Sequence, residues 1–358
     1  MIRLLHAADL HLDSPFAALR PDQAAQRREE QRQVLIRLVR ECNRRSCDAL
    51  LLAGDLFDSH RIYRETAELL CRILKECRAQ VFISPGNHDY YDAGSPYAGL
   101  SWPENVHIFR TPEMGFVRLE GFTVYGAGFT GPQAPGLLEG FRAEEGETAV
   151  MVVHGELTRG ESIYNPVSPE QAAASGLRYL ALGHIHRRQV QRCGATLVGN
   201  PGCAIGRGFD ETGAKGALYV ELENGSAAAE FVPLGGREYR ILTAMVEGDP
   251  VAAALEALPE DAENCICRII LTGSCTAVDT EAIRQALADR VYALELTDRT
   301  LPPLELWAGL GEDSLRGAFL RRMKEIYDRE NDEEKKSAAA LAARLALAVM
   351  EGREVPEA

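Results

Sequence analysis

Short apolar runs rich in β-branched residues alternate with amphipathic segments over the first 235 residues of the chain. Five of these runs predict buried strands, at residues 4–8, 50–53, 81–84, 149–153 and 179–182. Residues 23–45 and 64–77 separate the first three runs and carry apolar side chains at helical spacing. This order predicts a mostly parallel sheet, and glycine turns in residues 115–128 and 195–232 predict hairpins. We therefore expect an α/β fold with two stacked mixed β-sheets and helices outside.

The pattern restarts after Gly235 and Gly236, which we take as the end of a first domain, residues 1–235. Strands at residues 239–246, 265–271 and 291–296 alternate there with helices at 251–258 and 280–288. These elements predict a small α/β domain at residues 236–303. A Pro302-Pro303 break then leads to a helical tail, residues 304–358, with helices at 314–328 and 335–351.

Polar clusters follow each of the five buried runs in the first domain. They are Asp9-Leu-His11, Gly54-Asp55-Leu-Phe-Asp58, Gly86-Asn87-His88-Asp89, His154 and Gly183-His184-Ile-His186. Open α/β sheets gather ligands at the carboxyl ends of their strands, so the clusters are expected to converge on one site. An alternating pair such as Asp9 and His11 sends both side chains to the same side of an extended backbone. We predict seven metal ligands: Asp9, His11, Asp55, Asn87, His154, His184 and His186.

Seven ligands exceed what one ion needs, but two divalent ions about 3.5 to 4 Å apart that share one carboxylate would use them all. Asp55 is the candidate for the shared carboxylate. The set holds carboxylates, imidazoles and one amide oxygen but no thiolate, which favours manganese, with iron or magnesium as alternatives. Two such ions activate water against phosphorus, so the pattern predicts hydrolysis of a phosphate ester.

His88 follows a predicted metal ligand and cannot easily reach the same ions, so we predict that it is a catalytic imidazole. It would stabilise the transition state or protonate the leaving oxygen. We predict that Asp89 is catalytic too, because it would fix the tautomer of His88. The alternative for Asp89 is a carboxylate that caps the turn.

Composition and charge add three points to this picture. The net charge of −14 predicts no generally basic surface, which counts against a nucleic-acid substrate, although bound metal ions reverse the local field of their ligands. Arg61, Arg64, Arg159, Arg187 and Arg188 stand near the clusters and are candidates for phosphate contacts. No stretch approaches the roughly 20 apolar residues of a membrane span, so we expect a cytoplasmic protein without a membrane partner.

The five clusters together resemble the motif pattern of calcineurin-like metallophosphoesterases, over roughly residues 1–235. Residues 8–16 and the glycine-rich segment 199–216 are similar to the bacterial DNA-repair exonuclease branch, which includes SbcD-like nucleases and the YhaO-like group. The resemblance implies a four-layer α/β/β/α fold with a capping domain. It also implies a manganese-dependent DNA exonuclease and endonuclease that is a homodimer and docks on an SMC-like ATPase (SbcC/YhaN-like) through its tail.

The same resemblance implies how the ligands divide between the two ions. One ion would be held by Asp9, His11, Asp55 and His186, and the other by Asp55, Asn87, His154 and His184. The chain departs from many SbcD-type sequences at Cys203, where those have serine, and in its short tail. The short tail weakens the expectation of ATPase docking.

Two alternatives remain open at this point. The first is a phosphatase or nucleotide phosphodiesterase on the same fold. Phosphoprotein phosphatases, however, are expected to have Arg-Gly after Gly-Asp-x-x-Asp, where this chain has Ser59 and His60. The second is a protein-binding scaffold without catalysis, but such a scaffold does not need a complete ligand set together with His88.

Overall fold

A computed structural model of the chain describes residues 1–275, 277–301, 306–350 and 352. The chain divides into two compact units, Met1–Glu238 and Tyr239–Ala358. The domain boundaries predicted after residues 235 and 303 stay predictions. The predicted Pro302-Pro303 break, the start of the tail at residue 304 and the helix end at residue 351 lie outside the described residues.

The first unit contains fourteen strands and four helices. The strands are β1 (Ile2–Ala7), β2 (Ala49–Ala53), β3 (Gln80–Ser84), β4 (Val106–Ile108), β5 (Gly115–Leu119), β6 (Phe122–Gly126), β7 (Ala149–Val153), β8 (Glu156–Leu157), β9 (Pro166–Val167), β10 (Tyr179–Leu182), β11 (Gln189–Cys193), β12 (Thr196–Asn200), β13 (Gly216–Glu223) and β14 (Ser226–Pro233). The helices are α1 (Pro21–Arg44), α2 (Arg64–Lys75), α3 (Pro96–Gly99) and α4 (Pro169–Ala174).

Two six-stranded mixed sheets form the centre of this unit. Their orders are β14-β13-β1-β2-β3-β4 and β11-β12-β10-β7-β6-β5. In the first sheet β1, β2, β3 and β4 run parallel, and in the second β6, β7, β10 and β12 run parallel. The antiparallel hairpins β5-β6, β11-β12 and β13-β14 form three of the four sheet edges, and the parallel strand β4 forms the fourth.

The alternation of side chains along β2 explains how the layers stack. Leu50 and Leu52 pack on one face, against residues of α1 and α2 such as Leu38 and Leu74. Leu51 points to the other face, where residues of both sheets share one core. A third core, which includes Met151, covers the outer face of the second sheet with α4. The predicted α/β fold with two stacked mixed sheets flanked by helices is confirmed.

The strand β11 was not predicted. The hairpin was expected to begin at residue 195, but in the structure its first strand begins six residues earlier, at Gln189. Its first four residues, Gln189 to Arg192, are exposed. An edge strand without a buried face has no apolar alternation in its sequence, so the pattern could not indicate it.

The second unit contains a three-stranded sheet of order β15-β16-β17, with strands β15 (Glu238–Val246), β16 (Cys265–Gly273) and β17 (Ala293–Asp298). Helices α5 (Pro250–Glu256) and α6 (Thr280–Leu287) pack on this sheet through residues such as Ala254 and Ile283. Helices α7 (Leu315–Arg329) and α8 (Glu333–Met350) contact each other through a smaller apolar core that includes Leu320 and Leu347. None of the helices that the structure describes combines the length and the apolar composition of a membrane span.

A buried histidine joins the two sheets of the first unit. His6 on β1 lies with Nδ1 2.7 Å from the hydroxyl of Tyr179 on β10. Burial lowers the pKa of His6 from 6.5 to about 3, because the charged imidazole would lose its water.

We expect this histidine to make the metal-free protein sensitive to acid. Below about pH 6.5 the unfolded chain takes up a proton at His6, whereas the folded chain stays neutral down to about pH 3. The free energy of unfolding therefore decreases as the pH is lowered through this window, by up to about 1.4 kcal/mol per pH unit. Urea unfolding at pH 7 and pH 5 should show that His6→Gln loses less stability between the two pH values than the unmodified protein. Equal losses would contradict the assignment.

Candidate metal centre

The predicted ligands all follow strands whose carboxyl ends meet at one edge of the two stacked sheets. Asp9 follows β1, Asp55 follows β2 and Asn87 follows β3 in the first sheet. In the second sheet, His154 follows β7 directly and His184 follows β10. Backbone pairing continues past the ends of β1 and β2, since Asp9 N donates to Gly54 O and His11 N to Asp55 O. This pairing holds the first two clusters side by side.

Asp55 lies between side chains that come from different sheets. Its Oδ2 atom is 3.7 Å from His11 Nε2 and 3.5 Å from His154 Nε2. Its Oδ1 atom accepts a hydrogen bond from His88 N at 3.0 Å. One carboxylate oxygen of Asp55 therefore faces two histidines, and each of these belongs to a separate group of possible metal donors.

The first group consists of Asp9, His11 and His186, together with Asp55. The Nε2 atoms of His11 and His186 are 3.2 Å apart, and His186 Nε2 is 3.9 Å from Asp9 Oδ1. One donor atom from each of Asp9, His11 and His186 lies within 4.8 Å of the others, a spacing at which one ion could be held.

The second group consists of Asn87, His154 and His184, again with Asp55. His154 Nε2 is 2.9 Å and His184 Nδ1 is 3.2 Å from the amide oxygen of Asn87. His154 Nδ1 lies 3.0 Å from the carbonyl oxygen of Ala53, to which it donates when the ring is neutral. The lone pair of His154 Nε2 then faces Asp55 and Asn87.

The protonation of these side chains suits divalent cations. Burial lowers the pKa of His11 and of His184 to about 4, so both imidazoles are neutral near pH 7 and free to coordinate. Burial, and then the charge of Asp55, raise the pKa of Asp9 well above its usual range. A cation bound between these two carboxylates would relieve their repulsion. The oxygen and nitrogen donors of both groups fit such ions.

The backbone at the ligands is strained. The φ angles of Asp9, His11, Asp55 and His184 are +51°, +44°, +48° and +87°, in the left-handed region that residues other than glycine rarely adopt. Each such residue costs on the order of 1 kcal/mol or more and persists only where its surroundings hold it. Strain at four predicted ligands is typical of a functional site.

His88 lies on the open side of the site and is exposed. Its Nδ1 atom is 3.2 Å from the carbonyl oxygen of Asp58, and its ring centroid is 4.9 Å from that of His11. The imidazole is therefore next to the first donor group and accessible from solvent.

The structure corrects the role predicted for Asp89. Its carboxylate is fully buried and accepts hydrogen bonds from Gly86 N, Phe57 N and Tyr97 Oη, at 2.7, 3.1 and 2.6 Å. It cannot fix the tautomer of His88, since the atom near His88 Nδ1 is the carbonyl oxygen of Asp58. Asp89 instead caps the turn that carries Asn87, which was the alternative.

Two carboxylates that were not predicted as site residues contact the outer nitrogens of ligand histidines. Asp58 Oδ1 lies 3.2 Å from His11 Nδ1, and Glu211 Oε1 lies 2.7 Å from His186 Nδ1. Burial alone would raise the pKa of Glu211, but His186 and Arg207 outweigh burial and hold it at about 2. The Gly-Asp-x-x-Asp spacing could have indicated Asp58, whereas Glu211 has no local signal.

Comparisons with known proteins give several matches to this chain. Residues 2–188, more than half of the chain, match the family described as calcineurin-like phosphoesterase. YhaO of Bacillus subtilis (strain 168), described as an uncharacterized metallophosphoesterase, is 35% identical over 248 residues, which are 64% of this chain and 60% of that protein.

Two further relatives are more distant. The DNA double-strand break repair protein Mre11 of Aeropyrum pernix is 24% identical over 280 residues, 71% of this chain and 66% of that protein. A component of the nuclease SbcCD of Bacillus subtilis, SbcD, is 24% identical over 274 residues, 63% of this chain and 68% of that protein. The chain thus spans less than two thirds of the length of YhaO and of Mre11.

We expect Gly86→Ala to damage metal binding, because a Cβ atom at Gly86 would lie 2.2 Å from Asp55 Oδ1 and 2.6 Å from Asp55 N. Asp55 would have to move away from both donor groups, and manganese affinity should fall at least about tenfold. Calorimetric titration with Mn²⁺ measures the change. Gly99→Ala is the matched control, since a Cβ there meets nothing within 4 Å. Equal affinities in the two variants would contradict the placement of Asp55.

Proposed function

Because the chain is a member of the calcineurin-like phosphoesterase family, we propose that it hydrolyses phosphodiester bonds of DNA as a two-metal nuclease. The observation that carries this proposal is the position of Asp55 Oδ2, 3.7 Å from His11 Nε2 and 3.5 Å from His154 Nε2. Two donor groups that share one carboxylate match the need of two adjacent divalent ions.

The ligands divide into two sets in this proposal. One ion is held by Asp9, His11, Asp55 and His186, and the other by Asp55, Asn87, His154 and His184. When bound, such a pair of ions lowers the pKa of a shared water and offsets the charge that develops on the phosphoryl oxygens. We propose manganese, with iron or magnesium as alternatives, because all the donors are oxygen or imidazole nitrogen.

His88 is the catalytic imidazole of the proposal. Its Nδ1 atom faces the carbonyl oxygen of Asp58 and donates to it, which fixes the ring plane and leaves Nε2 for the substrate. Because His88 is exposed beside the first donor group, it can reach a phosphate there. When both ring nitrogens carry a proton, Nε2 transfers its proton to the leaving oxygen, which departs as an alcohol and leaves a neutral imidazole.

Two kinds of observation support DNA as the substrate. Mre11 and SbcD are named for DNA repair and nuclease roles, and both are similar to this chain. Among the five candidate arginines, Arg64 pairs with Glu68 and Arg159 with Glu170. Arg61 and Arg187 are exposed and make no side-chain ion pair with the described residues, so they are free to contact phosphates.

We expect the purified protein with Mn²⁺ to shorten end-labelled duplex DNA. His88→Ala should lower kcat by about 100- to 10,000-fold, the usual range for loss of a general acid, while Mn²⁺ binding persists. His107→Ala is the matched control, because His107 packs against Phe109 in the first sheet and stands apart from the clusters. Gel analysis of the labelled products gives the readout.

Two results would count against the proposal. Cleavage of small phosphomonoesters with intact DNA would favour the phosphatase alternative on the same fold. Full activity in His88→Ala would remove the proposed role of His88 but leave the two-ion site standing.

The second unit offers a surface for the proposed partner, an SMC-like ATPase. Leu315, Leu341 and Val349 on α7 and α8 are 79%, 49% and 61% exposed. Exposed apolar side chains on paired helices can pack against a coiled coil. We propose that this helical pair docks on the coiled-coil base of the ATPase. No dimer interface is assigned for the proposed homodimer.

Deletion of residues 314–358 should abolish co-purification with a co-expressed SMC-like ATPase and leave Mn²⁺ binding intact. Leu315→Glu combined with Leu341→Glu should weaken co-purification in the full-length chain, because both side chains are exposed and apolar. Unchanged recovery of the ATPase with both variants would exclude docking through the tail.

A further inference from the structure

Arg207 connects two carboxylates from distant parts of the chain. It lies in the segment between β12 and β13, where its Nη1 donates to Asp58 Oδ1 at 2.8 Å. Its Nη2 donates to Glu211 Oε1 at 3.2 Å and is 3.2 Å from His186 Nδ1. Arginine suits this position because the planar guanidinium presents several N–H groups in a rigid fork.

Each of these carboxylates contacts a different ligand histidine. Asp58 Oδ1 is 3.2 Å from His11 Nδ1, and Glu211 Oε1 is 2.7 Å from His186 Nδ1. The Nε2 atoms of the same two histidines are 3.2 Å apart and are two of the donor atoms of the first group. Arg207 is therefore linked to both imidazoles of one ion site through the carboxylates that contact their outer nitrogens.

Each carboxylate accepts a further hydrogen bond. For Asp58 this bond comes from Ser14 Oγ, which donates to the same oxygen, Oδ1, at 3.0 Å. The backbone N–H of Arg207 donates to Glu211 Oε2 at 2.7 Å, and Glu211 is buried. The side chains of Arg207 and Asp58 are only 22% and 23% exposed. The three charges form one small, mostly buried network of fixed geometry.

The second donor group uses different supports. The outer nitrogen of His154, Nδ1, faces the carbonyl oxygen of Ala53, and Nδ1 of His184 lies 3.2 Å from the amide oxygen of Asn87 as a fellow donor. Neither contact involves Arg207, Asp58 or Glu211. A change at Arg207 should therefore act on one ion and spare the other.

We infer that Arg207 is a positioning residue for the ion held by Asp9, His11, Asp55 and His186, which it serves by fixing the two carboxylates that orient His11 and His186. This inference rests on the proposed two-ion site. Partners that orient a ligand histidine typically contribute about 10- to 100-fold in metal affinity. Loss of Arg207 releases two such partners and removes the cation that both carboxylates contact.

The test measures each ion separately in Arg207→Gln and Arg207→Lys. Arg118→Gln is the control, because Arg118 is exposed and pairs with Glu144, and neither residue belongs to the clusters. Mn²⁺ is titrated by calorimetry, and electron paramagnetic resonance distinguishes a spin-coupled pair from a single ion. Thermal unfolding of each metal-free protein checks that it is folded.

We expect the unmodified protein and Arg118→Gln to bind two ions and give the spin-coupled signal. Arg207→Gln should bind one ion with unchanged affinity and the other about 10- to 100-fold more weakly. At one equivalent of Mn²⁺ per protein, its spectrum should therefore be that of a single ion. Arg207→Lys should resemble it, because lysine is a point charge without the bridging fork.

Four results would overturn the inference. Two ions of unchanged affinity in a folded Arg207→Gln would exclude the role, and equal weakening of both ions would mean a general structural effect. If either Arg207 variant fails to fold, Glu211→Gln replaces it, and two tight ions in that variant would also refute the role. A single ion in the unmodified protein would refute the two-ion site itself. If the two ions differ in affinity as expected in Arg207→Gln but the unmodified protein does not cleave DNA, only the proposal that DNA is the substrate would be refuted.

Discussion

One carboxylate oxygen, Asp55 Oδ2, faces imidazoles that belong to two different sheets, and the rest of the site is arranged around this contact. His11 approaches from the first sheet and His154 from the second, at 3.7 and 3.5 Å. The contact exists because the parallel strands of both stacked sheets end at the same edge. The close approach also depends on Gly86, where any side chain would meet Asp55.

The site buries two carboxylates close together. Asp9 and Asp55 are each 1% exposed, and burial together with Asp55 raises the pKa of Asp9. A buried pair of carboxylates and neutral imidazoles is unfavourable without a cation, but it becomes favourable when cations bind. The outer carboxylates of Asp58 and Glu211 complete the arrangement, because they orient imidazoles without adding donors to the inner site.

The sequence was sufficient to predict the fold class and which residues would gather, because both depend on local patterns. A run such as residues 149–153 indicates a buried strand, and His154 follows it at once. The partners of Asp89 could not be predicted, since Tyr97 and Phe57 meet it only in the folded chain. Glu211 was missed for the same reason: it lies 25 residues after His186.

The most direct measurement is anomalous diffraction from crystals grown with Mn²⁺, with data collected at the manganese absorption edge. Two peaks are expected about 3.5 to 4 Å apart on either side of Asp55 Oδ2. One peak should lie near His11 and His186, and the other near His154 and His184. A single peak, or peaks that do not contact Asp55, would contradict the shared carboxylate on which the proposed chemistry depends.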